Sequence, residues 1–155
     1  MSIIDELIKY SRLEESYARE LGLLAERLHH PVLKAIFAGI AKDSEKHSVF
    51  YRAIADALSR AQPFIKEEEL KEISEVIEKH IETEAKMLEE ARQLLQSTSD
   101  PRAKLLLAAI VEDEAKHHAL LVSVKKRIAE PEAFTEETMW DMVWKESPWH
   151  GTPGG

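Results

Sequence analysis

The chain contains an internal repeat in which residues 84–117 restate residues 14–47. Glu14 corresponds to Glu84, and His47 corresponds to His117. A residue–proline pair stands at the same place in each copy, His30-Pro31 in the first and Asp100-Pro101 in the second. Proline suits the first position of a helix and disfavours helical backbone in the residue before it, so each pair marks a break between two helices. The repeat therefore predicts a fold built from two similar helical hairpins.

Apolar residues recur at the period of an α-helix over most of the chain, with no alternation typical of strands. We predict helices from Ser2 to His29, from Pro31 to about Leu58, from about Leu70 to Ser97, and from Pro101 to Ile128. Four helices of this length favour an all-α, antiparallel four-helix bundle over residues 1–130. The link at residues 61–64 is compatible with a long crossover or with a short turn.

Each predicted helix has one apolar seam that should face the interior. The second and fourth helices carry these seam residues: Leu33, Phe37, Ile40, Ser44, His47, Tyr51, Ile54 and Leu58, and then Ala103, Leu107, Ile110, Glu114, His117, Leu121, Val124 and Ile128.

The composition changes after Pro131, where all three tryptophans of the chain lie in the last 16 residues. We predict a short fifth helix from Glu136 to about Lys145, followed by a flexible tail. This apolar segment would cover the end of its own bundle or contact a second subunit. Of the two, we favour the subunit contact and hence a homodimer.

Composition excludes several classes of function. The chain has no cysteine, so it has no disulfide, thiolate-zinc site or iron–sulfur centre. A net charge of −8 without a basic stripe argues against nucleic-acid binding. No apolar run is long enough to span a membrane, and the N-terminus lacks the features of a signal peptide. We therefore expect a cytoplasmic location.

Polar residues interrupt the apolar seams near the middle of the predicted bundle. These residues are Glu14, His47, Glu84, Glu114 and His117. Buried carboxylates that face one another are costly unless a cation neutralises them. Glu114 and His117 are three positions apart, which places them on one helical face. Carboxylates with imidazoles and no sulfur suit iron or manganese, so we predict a metal site built by these five residues.

The segment from Ile110 to His117, with the repeat around it, resembles the ferritin-like superfamily, specifically its rubrerythrin branch, over roughly residues 3–129. The resemblance implies a di-iron centre in which Glu14 and Glu84 are single-helix ligands and Glu114 with His117 forms a Glu-x-x-His pair. It also implies that Asp43 and Asp113 hydrogen-bond the ligand histidines.

The chain departs from the family pattern in two places. Ser44 stands where the pattern expects a bridging glutamate, so the site would hold two ions weakly, hold one, or use water beside the Ser44 hydroxyl. His80 and its counterpart Tyr10 lie one turn before Glu84 and Glu14, where they would be extra ligands or neighbours of the ligands. The rubredoxin-like cysteine module is missing, so electrons would come from a separate donor.

From this pattern we expect a di-iron oxidoreductase that acts on hydrogen peroxide, O2 or Fe(II), with two iron ions or one, and with manganese or zinc as alternatives. The alternative is a non-enzymatic bundle in which one ion has a structural role. His118, one position beyond His117, is expected to face solvent.

Overall fold

Four α-helices account for nearly all of the chain that the structure, a computed structural model, describes, namely residues 1–60 and 65–127. They are α1 (Ile3–Arg27), α2 (Pro31–Ser59), α3 (Glu67–Ser97) and α4 (Pro101–Arg127). These residues contain no β-strand. The predicted all-α class is therefore confirmed, and the helix count is consistent with a four-helix bundle. The link at residues 61–64 and the predicted fifth helix lie outside the described residues.

The chain divides into two units, Met1–Gln62 and Pro63–Gly155, and the division separates the two copies of the repeat. In the first unit α1 packs against α2, and in the second α3 packs against α4. Only a few residues join the helices of each pair, so both pairs are antiparallel hairpins. Each unit therefore contains one copy of the repeat and one pair of helices.

Hydrogen bonds at the helix starts explain where the helices begin. Ser2 and Asp5 form a capping box, in which the Ser2 Oγ accepts from the Asp5 N–H and the Asp5 carboxylate accepts from the Ser2 N–H, each at 3.2 Å. His30 precedes α2 and its Nδ1 accepts from the Leu33 N–H at 3.4 Å. The side chain before the proline therefore has a capping role in the first hairpin.

Asp100 has the same role at the start of α4. Its Oδ1 accepts from the backbone N–H of Arg102 at 2.8 Å and of Ala103 at 3.3 Å. The Arg102 guanidinium also contacts the carboxylate, at 2.9 Å. The bonds to Arg102, followed by the bond to Ala103, hold the pKa of Asp100 well below its usual value.

Small side chains fill the contact between α1 and α2. Every buried residue of these two helices is an alanine or a serine: Ser11, Ala18, Ala25, Ala41, Ser44, Ser48 and Ala55. Small residues let two helix backbones approach closely, and the buried serines then need hydrogen-bond partners. In the second unit the buried residues of α3 are mostly larger: Leu70, Ile77, Leu88 and Ala91.

The buried stripe of α2 is rotated from the predicted seam. Ala41, Ser44, Ser48 and Ala55 are buried, whereas the seam residue Ile40 is 44% exposed, as is its repeat counterpart Ile110 at 47%. The reason is geometric: within the hairpin, the side of each helix that faces its partner is the covered side. The interior seam of a bundle lies between two partners and is therefore displaced around the helix.

None of the helices in the described ranges combines the length and the apolar character that a transmembrane helix requires.

Candidate metal centre

Three side chains of the second hairpin, Glu84, Glu114 and His117, form a cluster with the composition of a metal site. Glu84 lies on α3, and Glu114 and His117 lie on α4, separated by one helical turn. One ligand atom from each residue can be chosen so that all three atoms lie within 4.8 Å of one another. The predicted Glu-x-x-His pair and the predicted lone glutamate therefore come together in one hairpin.

The two carboxylates of this cluster are short of hydrogen-bond donors. Glu84 and Glu114 are half-buried, and when both are ionised the Oε2 atom of each is buried without a hydrogen-bond donor. A buried acceptor that gives up water without gaining a donor costs folding free energy, and the cost is higher when the group is charged. Two such atoms beside an imidazole fit a cation, because a bound cation would satisfy both.

The charge state of Glu114 reflects the same crowding. Its pKa is raised, first by a hydrogen bond shared with the Glu84 side chain, then by burial and by the negative charge of Glu84. The charge of Asp113 acts in the same direction, while His117 opposes it. Without a cation, a proton held between the two carboxyl groups is the way to reduce their repulsion. A metal ion would compete with that proton.

His117 differs from the two glutamates because its side chain is exposed. It lies at the edge of the α3–α4 contact rather than inside it. The cluster therefore has a buried carboxylate side and an exposed imidazole side. The exposed side is open to solvent.

The first hairpin brings together the remaining two predicted ligands. The Nδ1 of His47 lies 3.7 Å from Oε1 of Glu14, with the two side chains 49% and 24% exposed. Ser44, which replaces the expected glutamate, is buried at 8% exposure. The first hairpin therefore offers one carboxylate and one imidazole where the second offers two carboxylates and one imidazole. That both groups share one centre stays a prediction.

The residues expected near the ligands are mostly exposed. Asp43 pairs with Lys46 at 3.4 Å, and Asp113 is exposed. His80 is also exposed. Tyr10 is 46% exposed, and its ring lies 5.6 Å, centroid to centroid, from that of Tyr51. The predicted hydrogen bonds from Asp43 and Asp113 to the histidines stay predictions.

The prediction for His118 was wrong. Its side chain is half-buried, and its Nδ1 is a buried atom without a hydrogen-bond partner. The rotated contact stripe explains this, because α4 turns the position after His117 toward α3. His118 corresponds in the repeat to Ser48, which is also buried. At this position, α2 and α4 therefore turn corresponding faces toward the partner helix.

Sequence reasoning missed a polar network beside the Glu14–His47 pair. The Oγ of Ser11 donates to the Ser48 carbonyl at 3.2 Å and accepts from Arg52 Nε at 3.0 Å. The Ser48 hydroxyl donates to Glu15 at 3.3 Å, and Arg52 forms an ion pair with the same carboxylate.

The network could have been recognised from differences between the two copies of the repeat. The corresponding positions in the second hairpin are Ile81, His118, Ala85 and Val122, so the first hairpin has a linked polar contact where the second has mostly apolar residues. Comparing the two copies position by position, rather than searching only for shared residues, would have identified it.

Comparisons of the chain with protein-family models, with curated proteins and with solved structures find no match. The resemblance to ferritin-like proteins therefore rests on the residues named above.

Proposed function

We propose that the chain is a metal-binding protein that holds a divalent ion, iron in the first place, through Glu84, Glu114 and His117. The single observation that carries the proposal is the pair of buried carboxylate oxygens that have no hydrogen-bond donor and lie beside an imidazole. A divalent cation would balance the charge of the two carboxylates and take up their free lone pairs.

The donor set favours iron or manganese over the other common ions. Two carboxylates and one imidazole combine hard oxygen donors with a nitrogen donor, and the chain has no thiolate to add. Zinc is compatible with the same donors, although structural zinc sites are usually closed by four protein ligands. A site with three protein ligands keeps positions open.

An open position suits redox chemistry on a small oxidant, and we propose an oxidoreductase that acts on hydrogen peroxide, O2 or Fe(II). The bound iron would supply the change of oxidation state. Glu84 and Glu114 would carry the opposing charge, and neutral His117 would fix the direction of approach from the exposed side. Because the chain has no cysteine for a second redox centre, electrons would come from a separate protein or small-molecule donor.

Metal analysis tests the binding step. Protein purified without chelators should carry iron, and Glu114→Gln should remove it because the replacement keeps the shape and deletes the charge. The matched control is Glu112→Gln, since Glu112 lies on the same helix, is exposed and pairs with Lys116. Equal iron in both variants and the original chain, or iron in none of them, would contradict the proposal.

Turnover tests the oxidoreductase step separately. Iron-loaded protein should consume hydrogen peroxide or O2 in the presence of a chemical reductant, and the Glu114→Gln protein should not.

A second function has one observation in its favour. Ser44 is buried at the position where a dinuclear site needs a carboxylate, so one hairpin cannot supply its half of such a site. A single ion with a structural role in the second hairpin fits this asymmetry. It predicts iron-dependent stability without consumption of peroxide or O2, which the turnover measurement distinguishes.

A further inference from the structure

The two hairpins are unequal as halves of a dinuclear metal site. A di-iron carboxylate centre in a helical bundle uses two lone glutamates and two Glu-x-x-His pairs. The α3–α4 hairpin supplies one of each, Glu84 and the pair Glu114 with His117. The α1–α2 hairpin supplies Glu14 and His47 but has Ser44 in place of the paired glutamate. A full set therefore requires the α3–α4 hairpin twice.

Charge leads to the same conclusion. Glu84 and Glu114 give the α3–α4 hairpin two negative charges at the cluster, which balance one divalent ion. Two such hairpins would balance two ions. One α3–α4 hairpin combined with Glu14 would supply one carboxylate too few.

The first hairpin also has an internal cation of its own. Arg52 pairs with Glu15, next to Glu14 in sequence, and bonds to buried Ser11, while Ser48 bonds to the same carboxylate. This network links α1 to α2 without a metal ion. No such network is encoded in the second hairpin, where two carboxylate oxygens are left without donors.

The α3–α4 hairpin has an exposed apolar face around its cluster. Met87 and Leu94 of α3 and Ile110 of α4 are exposed, as is His117. An α-helix turns by 100° per residue, so the direction of each side chain around the helix axis can be compared. Met87 and Leu94 are displaced around α3 from Glu84. Ile110 and His117 are displaced around α4 from Glu114 in the same rotational sense. Because the two helices are antiparallel, equal displacement puts them on one side of the hairpin. The imidazole therefore opens onto an apolar surface.

We propose that the α3–α4 hairpins of two copies of this chain pair through this face and complete one dinuclear metal site with six ligands. The inference rests on the proposed metal binding by Glu84, Glu114 and His117. A two-fold axis through the site makes the contact self-complementary, since each copy presents the same apolar residues and the same three ligands. The ions would join the two chains as well as satisfy the carboxylates.

Sedimentation with Mn²⁺ as the probe tests this pairing on the full chain. Adding Mn²⁺ should convert metal-free protein to dimers that hold about one ion per chain. Exchange coupling between the two ions should change the electron paramagnetic resonance spectrum from that of isolated Mn²⁺. EDTA should reverse both effects.

Variants of the two hairpins decide which residues build the shared site. Glu114→Gln should abolish ion binding, the coupled spectrum and any Mn²⁺-driven dimer. The variant Glu14→Ala/His47→Ala should keep all three, because the first hairpin is not part of the pairing. Circular dichroism checks that both variants remain helical.

Three results would overturn the pairing. They are loss of Mn²⁺ in the Glu14→Ala/His47→Ala variant, coupled ions in a protein that sediments as a monomer, and one uncoupled ion per monomer. In each of these cases the original chain still binds metal, so the proposed function survives. Failure of Mn²⁺ and iron to bind the original chain would remove the proposed function as well.

Discussion

Glu114 is the central residue of the candidate metal centre. It lies between Glu84 on the facing helix and His117 one turn later, and its Oε2 is buried without a donor. The structure therefore gives one side chain two conflicting requirements. It must be charged to bind an ion, and its surroundings raise its pKa and so oppose that charge.

Metal-free protein should become less stable as the pH rises because of Glu114. Its raised pKa means that the folded chain holds this proton more tightly than the unfolded chain does. Stability should therefore fall from about pH 4.3, the ordinary glutamate value, until the raised pKa has been passed. Melting temperatures measured with EDTA across this range should show the decline. Glu114→Gln should reduce it, and an unchanged profile in that variant would assign the effect to other groups.

Bound metal should reverse the dependence of stability on pH. An ion needs the deprotonated carboxylate, so its affinity should rise through the same pH range. The difference in melting temperature between loaded and EDTA-treated protein should then grow with pH. A difference that shrinks with rising pH would mean that Glu114 is not a ligand.

At the scale of single residues, the sequence predicted which side chains meet in each hairpin but not how they are turned. Glu84, Glu114 and His117 were identified from the repeat and from the three-residue spacing. The prediction for His118 was wrong because it assumed that the buried face of α4 points to the interior of a four-helix bundle. The direction of the partner helix depends on how the hairpin packs. The pattern of apolar residues along one helix does not determine it.

At the scale of the helices, the start of α2 and of α4 is determined by local chemistry that can be recognised in the sequence. Pro31 and Pro101 start α2 and α4, and His30 and Asp100 hydrogen-bond the exposed N–H groups that follow. These boundaries were predictable because each depends on a few neighbouring residues. The network that joins α1 to α2 was not predicted, because it depends on which small residues face each other across the hairpin.

Replacing Asp100 should destabilise the start of α4. Asp100→Ala removes two hydrogen bonds to backbone N–H groups, so the melting temperature should drop by a few degrees at neutral pH. Because the pKa of Asp100 is lowered, its contribution is present above about pH 3.9, the unfolded value, and is lost as the pH falls below it. The original chain and the variant should therefore converge in acid. A constant difference at all pH values would contradict the capping role.

The Ser11–Ser48 contact should show coupling between the two serines. Each of Ser11→Ala and Ser48→Ala should lower the free energy of unfolding by about 1 kcal/mol, since both hydroxyls are buried and hydrogen-bonded. The double variant should lose less than the sum, because both changes break the same bond. Denaturant unfolding of the four proteins measures this, with exposed Ser16→Ala as the control. Strict additivity would show that the hydroxyls act independently.

At the scale of the whole molecule, the two copies of the hairpin share some side chains and differ in others. Both copies place a glutamate and a histidine at corresponding positions. Only the second adds the carboxylate of Glu114, and only the first has the Ser11–Arg52 network. We interpret the first hairpin as a metal-independent scaffold and the second as the metal-binding half.

This interpretation predicts that metal stabilises the second hairpin against unfolding. An ion present at about 100 times its dissociation constant should add about 2.7 kcal/mol to the free energy of unfolding. EDTA should remove this gain from the original chain and from Glu112→Gln. Glu114→Gln should melt at the same temperature with and without EDTA. If EDTA shifts that variant as much as the original chain, the ion binds somewhere else.

The most direct test is an anomalous-scattering map of crystals grown with Fe²⁺ or Mn²⁺. We predict a peak within coordination distance of carboxylate oxygens of Glu84 and Glu114 and of a ring nitrogen of His117. A map with no peak within ligand distance of these three side chains, at an ion concentration that saturates binding in solution, would contradict the central claim.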